Sequence, residues 1–213
     1  MDNTVGSPSA SFCNFPKSIE DYYILGLWCA DGYHWTSSIG LSSIDLALIK
    51  KFRKFLLKLF SEDRIKLHQY TTGKRRHVGY KLYVNCRPLL RIFKEFKDDS
   101  ERKLNNADAI KAYMAERFDG DGCISKDLRR DCRISYGNHT DAKLDSDLLK
   151  EIGIAPKLYW YRTSNTFVIY VSRFDTKEFI DAISKYSTKL QKLVLGSRRD
   201  SDYTEIVRMA TNI

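Results

Sequence analysis

ILGLWCADG at residues 24–32 and MAERFDGDG at residues 114–122 are two versions of one pattern, from which the arrangement of the chain can be predicted. Each version is a stretch of helical character that ends in an acid followed by glycine. The acids are Asp31 and Asp121, which lie 90 residues apart. Gly32 can end a helix directly after the first acid. The pattern therefore predicts two equivalent helices, each with a carboxylate at its C-terminal end.

The small residues of the first motif predict a helix-packing face. Gly26 and Ala30 are four residues apart and share one face of a helix, where small side chains let a second helix approach closely. If the two motif helices pack side by side, Asp31 and Asp121 emerge at the same end. An acid is unfavourable at a helix C-terminus, because the helix dipole is negative there. A bound divalent cation relieves that cost, and two carboxylates that converge on phosphates suit Mg²⁺.

The sequence around the motifs also repeats. In each half the patterns predict a helix, two strands, a helix, two strands and a final helix. We expect a tail at residues 1–16, a first repeat at 17–97, a linker at 98–106, a second repeat at 107–196 and a C-terminal tail at 197–213.

Local signals place individual helices within the repeats. Apolar residues at helical spacing predict a helix over residues 46–60, with Asp45 as its N-cap. A proline predicts the start of a helix over residues 88–96. In the second repeat, Asp145 or Ser146 is the expected N-cap of the corresponding middle helix.

Composition narrows the class of protein. The 213 residues carry a formal net charge of +9, with a pI near 9.2, and include 13 tyrosines, which suggests a polyanionic partner such as nucleic acid.

No apolar stretch approaches the roughly 18 residues of a membrane helix, and the N-terminus does not resemble a secretory signal. The five cysteines form no CxxC pair, which argues against a zinc ribbon or a disulfide framework and for reduced cysteines inside the cell.

A basic surface is predicted on the strands that follow the first motif. Residues 64–94 contain nine Lys and Arg and no Asp or Glu. Alternation of apolar and polar residues places one strand face on helices and leaves the other face charged. Two basic strands joined by a basic turn fit the major groove of duplex DNA, although a solvated sheet face is the alternative. The residues assigned to DNA contact are Lys66, His68, Tyr70, Lys74, Arg75, Arg76, Lys81, Tyr83 and Asn85 in this hairpin, and Arg129, Arg130, Arg133, Lys157, Tyr159 and Tyr161 in a weaker counterpart.

The chain resembles the single-chain LAGLIDADG homing endonucleases, which carry two such motifs. Both motifs and the αββαββα order match over roughly residues 18–195. The resemblance implies an α+β fold of two pseudo-symmetric αββαββα subdomains, with the motif helices at their interface and two antiparallel four-stranded sheets forming a DNA-binding saddle. It also implies a metal-dependent double-strand break in a long, nearly asymmetric duplex target, with short 3′ overhangs. The implied protein is an intron-encoded monomer that works inside the cell with host DNA, in the cytoplasm, the nucleoid or an organelle matrix.

The resemblance also assigns roles to single residues. Asp31 and Asp121 match the final acid of each motif, which in the family binds the catalytic metal ions. The carbonyl oxygens of Ala30 and Gly120 match a further ligand position. The implied ion is Mg²⁺, and Mn²⁺ or Ca²⁺ can occupy the same site. The basic residues that family members place near the active centre correspond to Lys103 and Lys189.

Three positions depart from the family pattern. Cys29 stands where the motif has its first acid, which Asp119 keeps in the second copy, but this position is not the essential ligand. Glu116 and Arg117 replace small and apolar residues. A charge at Glu116 resists close helix packing unless it is paired or partly solvated.

Two other functions use the same scaffold. One is an intron maturase, which binds RNA and assists splicing. The other is a DNA-binding regulator that does not cleave. The presence of both Asp31 and Asp121 favours a nuclease over a regulator, whereas a splicing surface leaves no readable motif.

Overall fold

The structure is a computed structural model that describes residues 15–72, 77–99, 104, 106–125 and 131–196. The chain divides into two compact units, Met1–Asp99 and Ser100–Ile213. The predicted DNA contacts Lys74, Arg75, Arg76, Arg129 and Arg130, and the predicted basic residue Lys103, lie outside the described residues.

The first unit has the predicted order of elements. Its four strands form one antiparallel sheet in the order β1-β2-β4-β3. The elements are α1 (Ile19–Asp31), β1 (Gly32–Trp35), β2 (Ser38–Ser43), α2 (Leu46–Leu57), a short 3-10 helix (Glu62–Arg64), β3 (Lys66–Thr72), β4 (His77–Asn85) and α3 (Arg87–Asp98).

The second unit repeats this arrangement and adds one helix. Its antiparallel sheet has the equivalent order β5-β6-β8-β7, which confirms the predicted α+β fold with two four-stranded sheets. The elements are α4 (Ala107–Asp121), β5 (Gly122–Ile124), β6 (Cys132–Tyr136), α5 (His139–Glu151), β7 (Lys157–Tyr161), β8 (Thr166–Val171), α6 (Thr176–Ile183) and α7 (Thr188–Gly196).

One predicted N-cap is right and the other is wrong. The Asp45 side chain accepts the Ala47 N–H at 2.8 Å and caps α2 as expected. In the second unit, α5 is capped by Asn138, whose side chain accepts the Asp141 N–H at 2.8 Å. Asp145 and Ser146 lie in the middle of α5, and both are buried. Asp145 is buried because it binds partners on other elements, and not because it begins a helix.

Each sheet has one apolar face covered by helices. In the first unit, α2 and α3 pack on the sheet, and in the second unit α4 and α5 do so, with α6 against α4. The helices predicted over residues 46–60 and 88–96 are present as Leu46–Leu57 and Arg87–Asp98. The fully buried residues of the two cores include Ile39, Leu41, Phe52, Leu82 and Phe93 in the first unit, and Phe118, Ile134, Leu149, Ile169 and Phe179 in the second.

The described helices are short. Within the part of the chain that the structure describes, no helix combines the length and the apolar character that a membrane crossing requires.

Candidate metal centre and nucleic-acid interface

The two motif acids occupy the same place in the two units. Asp31 is the last residue of α1, and Asp121 is the last residue of α4. A strand begins at the next residue in both cases, at Gly32 and Gly122. The chain therefore passes from helix to strand without a loop, and each acid stands at the junction.

Both junctions require glycine, because neighbouring atoms lie too close to leave room for a side chain. Their φ angles, −69° at Gly32 and −90° at Gly122, are not left-handed. A Cβ on Gly32 would clash with the carbonyl oxygen and the ring of Trp28, and one on Gly122 would clash with the ring and backbone of Phe118. Each glycine thus ends its helix by leaving room for the aromatic residue one turn earlier.

The residues at the junctions fit a hard divalent cation. Asp31 is half-buried, and the Asp121 side chain is 39% exposed. Each unit offers one carboxylate and the backbone carbonyl of the preceding residue, Ala30 or Gly120. Among the described residues no three His, Cys, Asp or Glu side chains form a cluster that could hold a metal ion. Such a small set of oxygen donors suits Mg²⁺, which binds one or two carboxylates and completes its shell with waters and substrate phosphates.

Lys189 reaches the end of the second motif helix. It is the second residue of α7, and its Nζ donates to the carbonyl oxygens of Phe118 at 3.0 Å and Gly122 at 2.6 Å. The ammonium group therefore lies beside the residue that follows Asp121. Its predicted first-repeat counterpart, Lys103, lies outside the described residues.

Asp119 fixes the start of α7 and thereby Lys189. Its buried carboxylate accepts the backbone N–H groups of Thr188 and Lys189, the second at 3.1 Å, and also the hydroxyl of Ser187. A carboxylate at a helix N-terminus satisfies unpaired N–H groups and interacts favourably with the dipole. No local signal in the sequence indicates this role, because Asp119 lies 68 residues before Ser187 along the chain.

Arg117 belongs to a buried polar cluster. Its Nε donates to Oδ2 of Asp145 at 2.9 Å, and Asp145 has no exposed surface. The hydroxyls of Tyr113 and Tyr136 donate to the same carboxylate at 3.0 and 2.9 Å. Burial, followed by the charge of Asp145, raises the pKa of Tyr136 well above its usual range, so this hydroxyl stays a donor. The Arg117 side chain extends beyond the cluster to Asp121, with 3.9 Å between the nearest nitrogen and oxygen.

Glu116 is buried without the pairing that its charge would need. Neither of its carboxylate oxygens has a hydrogen-bond partner among the described residues. Burial raises the pKa of Glu116 well above its usual value, and the neighbouring Asp119 carboxylate raises it further, while Lys189 opposes the shift. The condition expected from the sequence, a paired or partly solvated charge, is not met. The protonated form is favoured instead.

Replacing Glu116 with Leu should stabilise the protein, and more so at high pH. Because the folded pKa of Glu116 is raised, folding favours the protonated carboxyl, and stability declines as the pH rises from 4.5 towards the folded pKa. Removing a buried polar group that lacks a partner should raise the free energy of unfolding by about 1–3 kcal/mol. Urea unfolding at about pH 5 and about pH 8, on either side of much of this decline, measures the gain. Glu178→Leu, at an exposed position of α6, is the control and should leave the free energy of unfolding nearly unchanged.

The predicted DNA contacts on the first sheet share one face. Lys66 lies opposite Tyr83, and His68 lies opposite Lys81. Directly opposed residues of an antiparallel pair point to the same side, as do residues two apart on a strand. The alternate residues of β2 and β4, such as Leu82, are buried under the helices. All six described residues assigned to this hairpin therefore lie on the face away from α2 and α3: Lys66, His68, Tyr70, Lys81, Tyr83 and Asn85.

Aromatic rings and a lysine cover this face. Lys81 Nζ lies 5.2 Å from the ring centroid of Tyr70 and 5.9 Å from that of Tyr33. His68 stacks on Tyr83 with centroids 5.6 Å apart. Burial raises the pKa of Tyr33 to about 12, with a smaller contribution from Tyr83. Such a layer of hydroxyls and lysine side chains can contact phosphates and base edges.

Two aromatic residues on this face are not among the predicted contacts. Tyr33 lies opposite Gly40 and Trp35 lies opposite Ser38, which puts both on the side of Tyr83 and Asn85. The Trp35 side chain is 78% exposed. Their strand, β1, has only four residues, so its alternation is too short to assign a face from the sequence.

The second sheet has a less basic equivalent. Lys157 and Arg133 lie on either side of Tyr170, while Tyr159 and Tyr161 follow Lys157 at alternate positions of β7, so the predicted residues again share a face. Arg133 is paired with a buried acid, Asp131, at 2.8 Å, which offsets its charge. An open groove of about 620 Å³ lies along this face, lined by Ala155, Lys157, Tyr159, Tyr170, Ser172, Arg173, Phe174 and Asp175.

Comparisons with known proteins agree with this architecture. Residues 18–97 match the family model of the LAGLIDADG-like domain. The fold is similar to that of I-DmoI solved in complex with DNA and Mn, with a TM-score of 0.58 and 18% identity over 78% of this chain and 95% of that chain. Full-length DUF199/WhiA from Thermatoga maritima matches with a TM-score of 0.56 and 17% identity, over 90% of this chain and 65% of that chain. No curated protein matches the sequence.

Proposed function

We propose that this chain, with its match to the LAGLIDADG-like domain and the fold of I-DmoI, is a site-specific homing endonuclease. It makes a metal-dependent double-strand break in a long, nearly asymmetric duplex target and leaves short 3′ overhangs. The observation that supports this best is the duplicated junction, where a motif helix ends in Asp31 or Asp121 and runs directly into a sheet with an aromatic and basic face. The similar I-DmoI structures were solved with DNA and with Mn, Mg or Ca.

The sheet faces bind and position the duplex in this proposal. Side chains of β3, β4, β6 and β7 contact base edges in the major groove, while Lys74, Arg75 and Arg76 contact phosphates. Phosphate contacts fix the register, and base contacts give specificity. Bending of the DNA brings the scissile phosphates to the motif acids.

The junction residues hold the reacting groups. In each unit the motif acid and the preceding carbonyl, Asp31 with Ala30 and Asp121 with Gly120, would hold Mg²⁺, which when bound stabilises charge at the phosphate and lowers the pKa of a bound water. Lys189 places a positive charge beside Asp121, and we assign the same part in the first repeat to Lys103. The chain itself then binds and orients the phosphate and forms no covalent intermediate.

Cleavage of a plasmid library tests the proposal against its alternatives. The full chain is incubated with the library in Mg²⁺ and in EDTA, and its binding to structured intron RNA and to duplex DNA is measured in EDTA. We expect nicked or linear plasmid only in the samples that contain Mg²⁺. RNA binding without cleavage would support the maturase, and DNA binding without cleavage would support the regulator. Either result would contradict the nuclease.

DNA affinity should fall steeply with salt. A protein that makes about 6–10 phosphate contacts loses roughly 10³–10⁵ in affinity between about 50 and 200 mM salt, because counterions are released. Fluorescence anisotropy with a labelled duplex over this range measures the slope of the logarithm of the affinity against the logarithm of the salt concentration. Lys74→Ala should reduce the slope by about one phosphate contact, whereas Lys143→Ala, on the exposed surface of α5, should not change it. A slope near zero in the parent protein would contradict the proposed interface.

A further inference from the structure

We propose that Arg117 is a positioning residue for Asp121, held in place by the buried carboxylate of Asp145. This inference rests on the proposed function, since it takes Asp121 as a metal ligand. Arg117 Nε donates to Asp145 at 2.9 Å, and its Nη1 atom lies 3.9 Å from Oδ2 of Asp121, one helical turn further along α4. One guanidinium thus faces a fixed acid on one side and the motif acid on the other.

The cluster behind Arg117 restricts its movement. Asp145 accepts hydrogen bonds from Tyr113 and Tyr136 as well as from Arg117. The guanidinium carbon lies 4.6 Å from the centroid of the Tyr136 ring, and the Arg117 side chain is only 4% exposed. Arg117 therefore has almost no surface with which to contact DNA directly. Of the two carboxylates that Arg117 faces, only that of Asp121 is exposed to solvent. Arg117 can therefore influence a bound cation by orienting the Asp121 carboxylate.

The charges of the cluster agree with this role. An arginine alone beside a metal ligand would repel a cation. Here the charge of Arg117 is offset by Asp145, so the pair faces Asp121 without a net positive charge. Substitution of a group that orients a metal ligand commonly lowers metal affinity or activity by about 10–100-fold.

The first repeat has no arginine at the corresponding place. Leu27 stands there, four residues before Asp31, and it has no polar side-chain atom. Arg117 therefore acts on one of the two motif acids, and its replacement should affect the Asp121 site alone.

The Arg117→Lys variant separates positioning from core stability. Lysine keeps the positive charge next to Asp145, but its single ammonium cannot span two carboxylates as a guanidinium does. In the full chain with Asp31→Asn, so that Asp121 is the remaining motif acid, Mn²⁺ is titrated and broadening of the Gly122 amide signal is followed by NMR. We expect Arg117→Lys to require about tenfold more Mn²⁺. Arg53→Lys, in an exposed ion pair of the first unit, is the matched control and should require no more than the parent.

The outcomes distinguish this inference from the function on which it rests. Equal Mn²⁺ requirements for the parent and Arg117→Lys would overturn the positioning role and leave the metal site intact. Absence of broadening in the parent would contradict the metal site, and the inference with it. If Arg117→Lys does not fold, the double variant Arg117→Gln/Asp145→Asn removes both buried charges together and should show the same weaker binding. Unchanged binding in that variant would equally overturn the inference.

Discussion

Asp31→Asn and Asp121→Asn should each abolish cleavage of at least one DNA strand while leaving duplex binding largely intact. Asparagine has nearly the shape of aspartate, so the helix–strand junction is preserved, but it lacks the negative charge that attracts a divalent cation. Loss of several kcal/mol of charge stabilisation in the transition state corresponds to roughly 10³-fold in rate. Cleavage of a duplex labelled on both strands measures the rate for each strand, and anisotropy in Ca²⁺ measures binding.

The matched control for these variants is Asp147→Asn. Asp147 is a partly exposed acid on α5 that pairs with Lys143 and Lys150, away from the junctions. This variant should cleave both strands at the parent rate. Unchanged double-strand cleavage by Asp31→Asn and Asp121→Asn would remove the two motif acids from the mechanism and, with them, the proposed active site.

The parts of the fold that follow local patterns can be predicted from the sequence. The duplicated motif, the element order and the Asp45 cap all depend on residues within a few positions of each other. The face of the first hairpin is also predictable, because period-two alternation of apolar and polar residues persists along the nine residues of β4. The four residues of β1 are too few to place Tyr33 on that face in advance.

The parts that depend on distant partners cannot be predicted in this way. Asp145 resembles a helix cap in sequence, but its partners Tyr113 and Arg117 lie 32 and 28 residues before it. Asp119 stands at a motif position that is not an essential metal ligand, yet it caps a helix that begins at Thr188. In both cases a buried charge is explained only by the groups that three-dimensional folding brings to it.

The two motif helices differ in the number of charged residues that they carry. The first has Gly26, Leu27 and Cys29 where the second has Glu116, Arg117 and Asp119. Two of the three charged residues have buried partners, at Asp145 for Arg117 and at the start of α7 for Asp119. The second motif is therefore anchored by polar contacts within its own unit, which keeps Asp121 and Lys189 at the same helix end.

Asp145→Ala should be among the most destabilising single substitutions in the second unit. It leaves the buried Arg117 charge without its carboxylate and removes the acceptor of two tyrosine hydroxyls. Breaking a buried ion pair from one side typically lowers the free energy of unfolding by about 3–5 kcal/mol, because the remaining charge stays desolvated. Urea unfolding followed by circular dichroism measures the loss.

Asp147→Ala provides the comparison on the same helix. Asp147 lies two residues further along α5 and is 43% exposed, and its pairs with Lys143 and Lys150 are on the surface. Exposed ion pairs contribute little, so this variant should lose less than about 1 kcal/mol. A second comparison, Arg117→Leu/Asp145→Leu, removes both charges and should recover much of the stability that Asp145→Ala loses. Equal losses for Asp145→Ala and Asp147→Ala would show that the buried cluster does not hold the second motif helix in place.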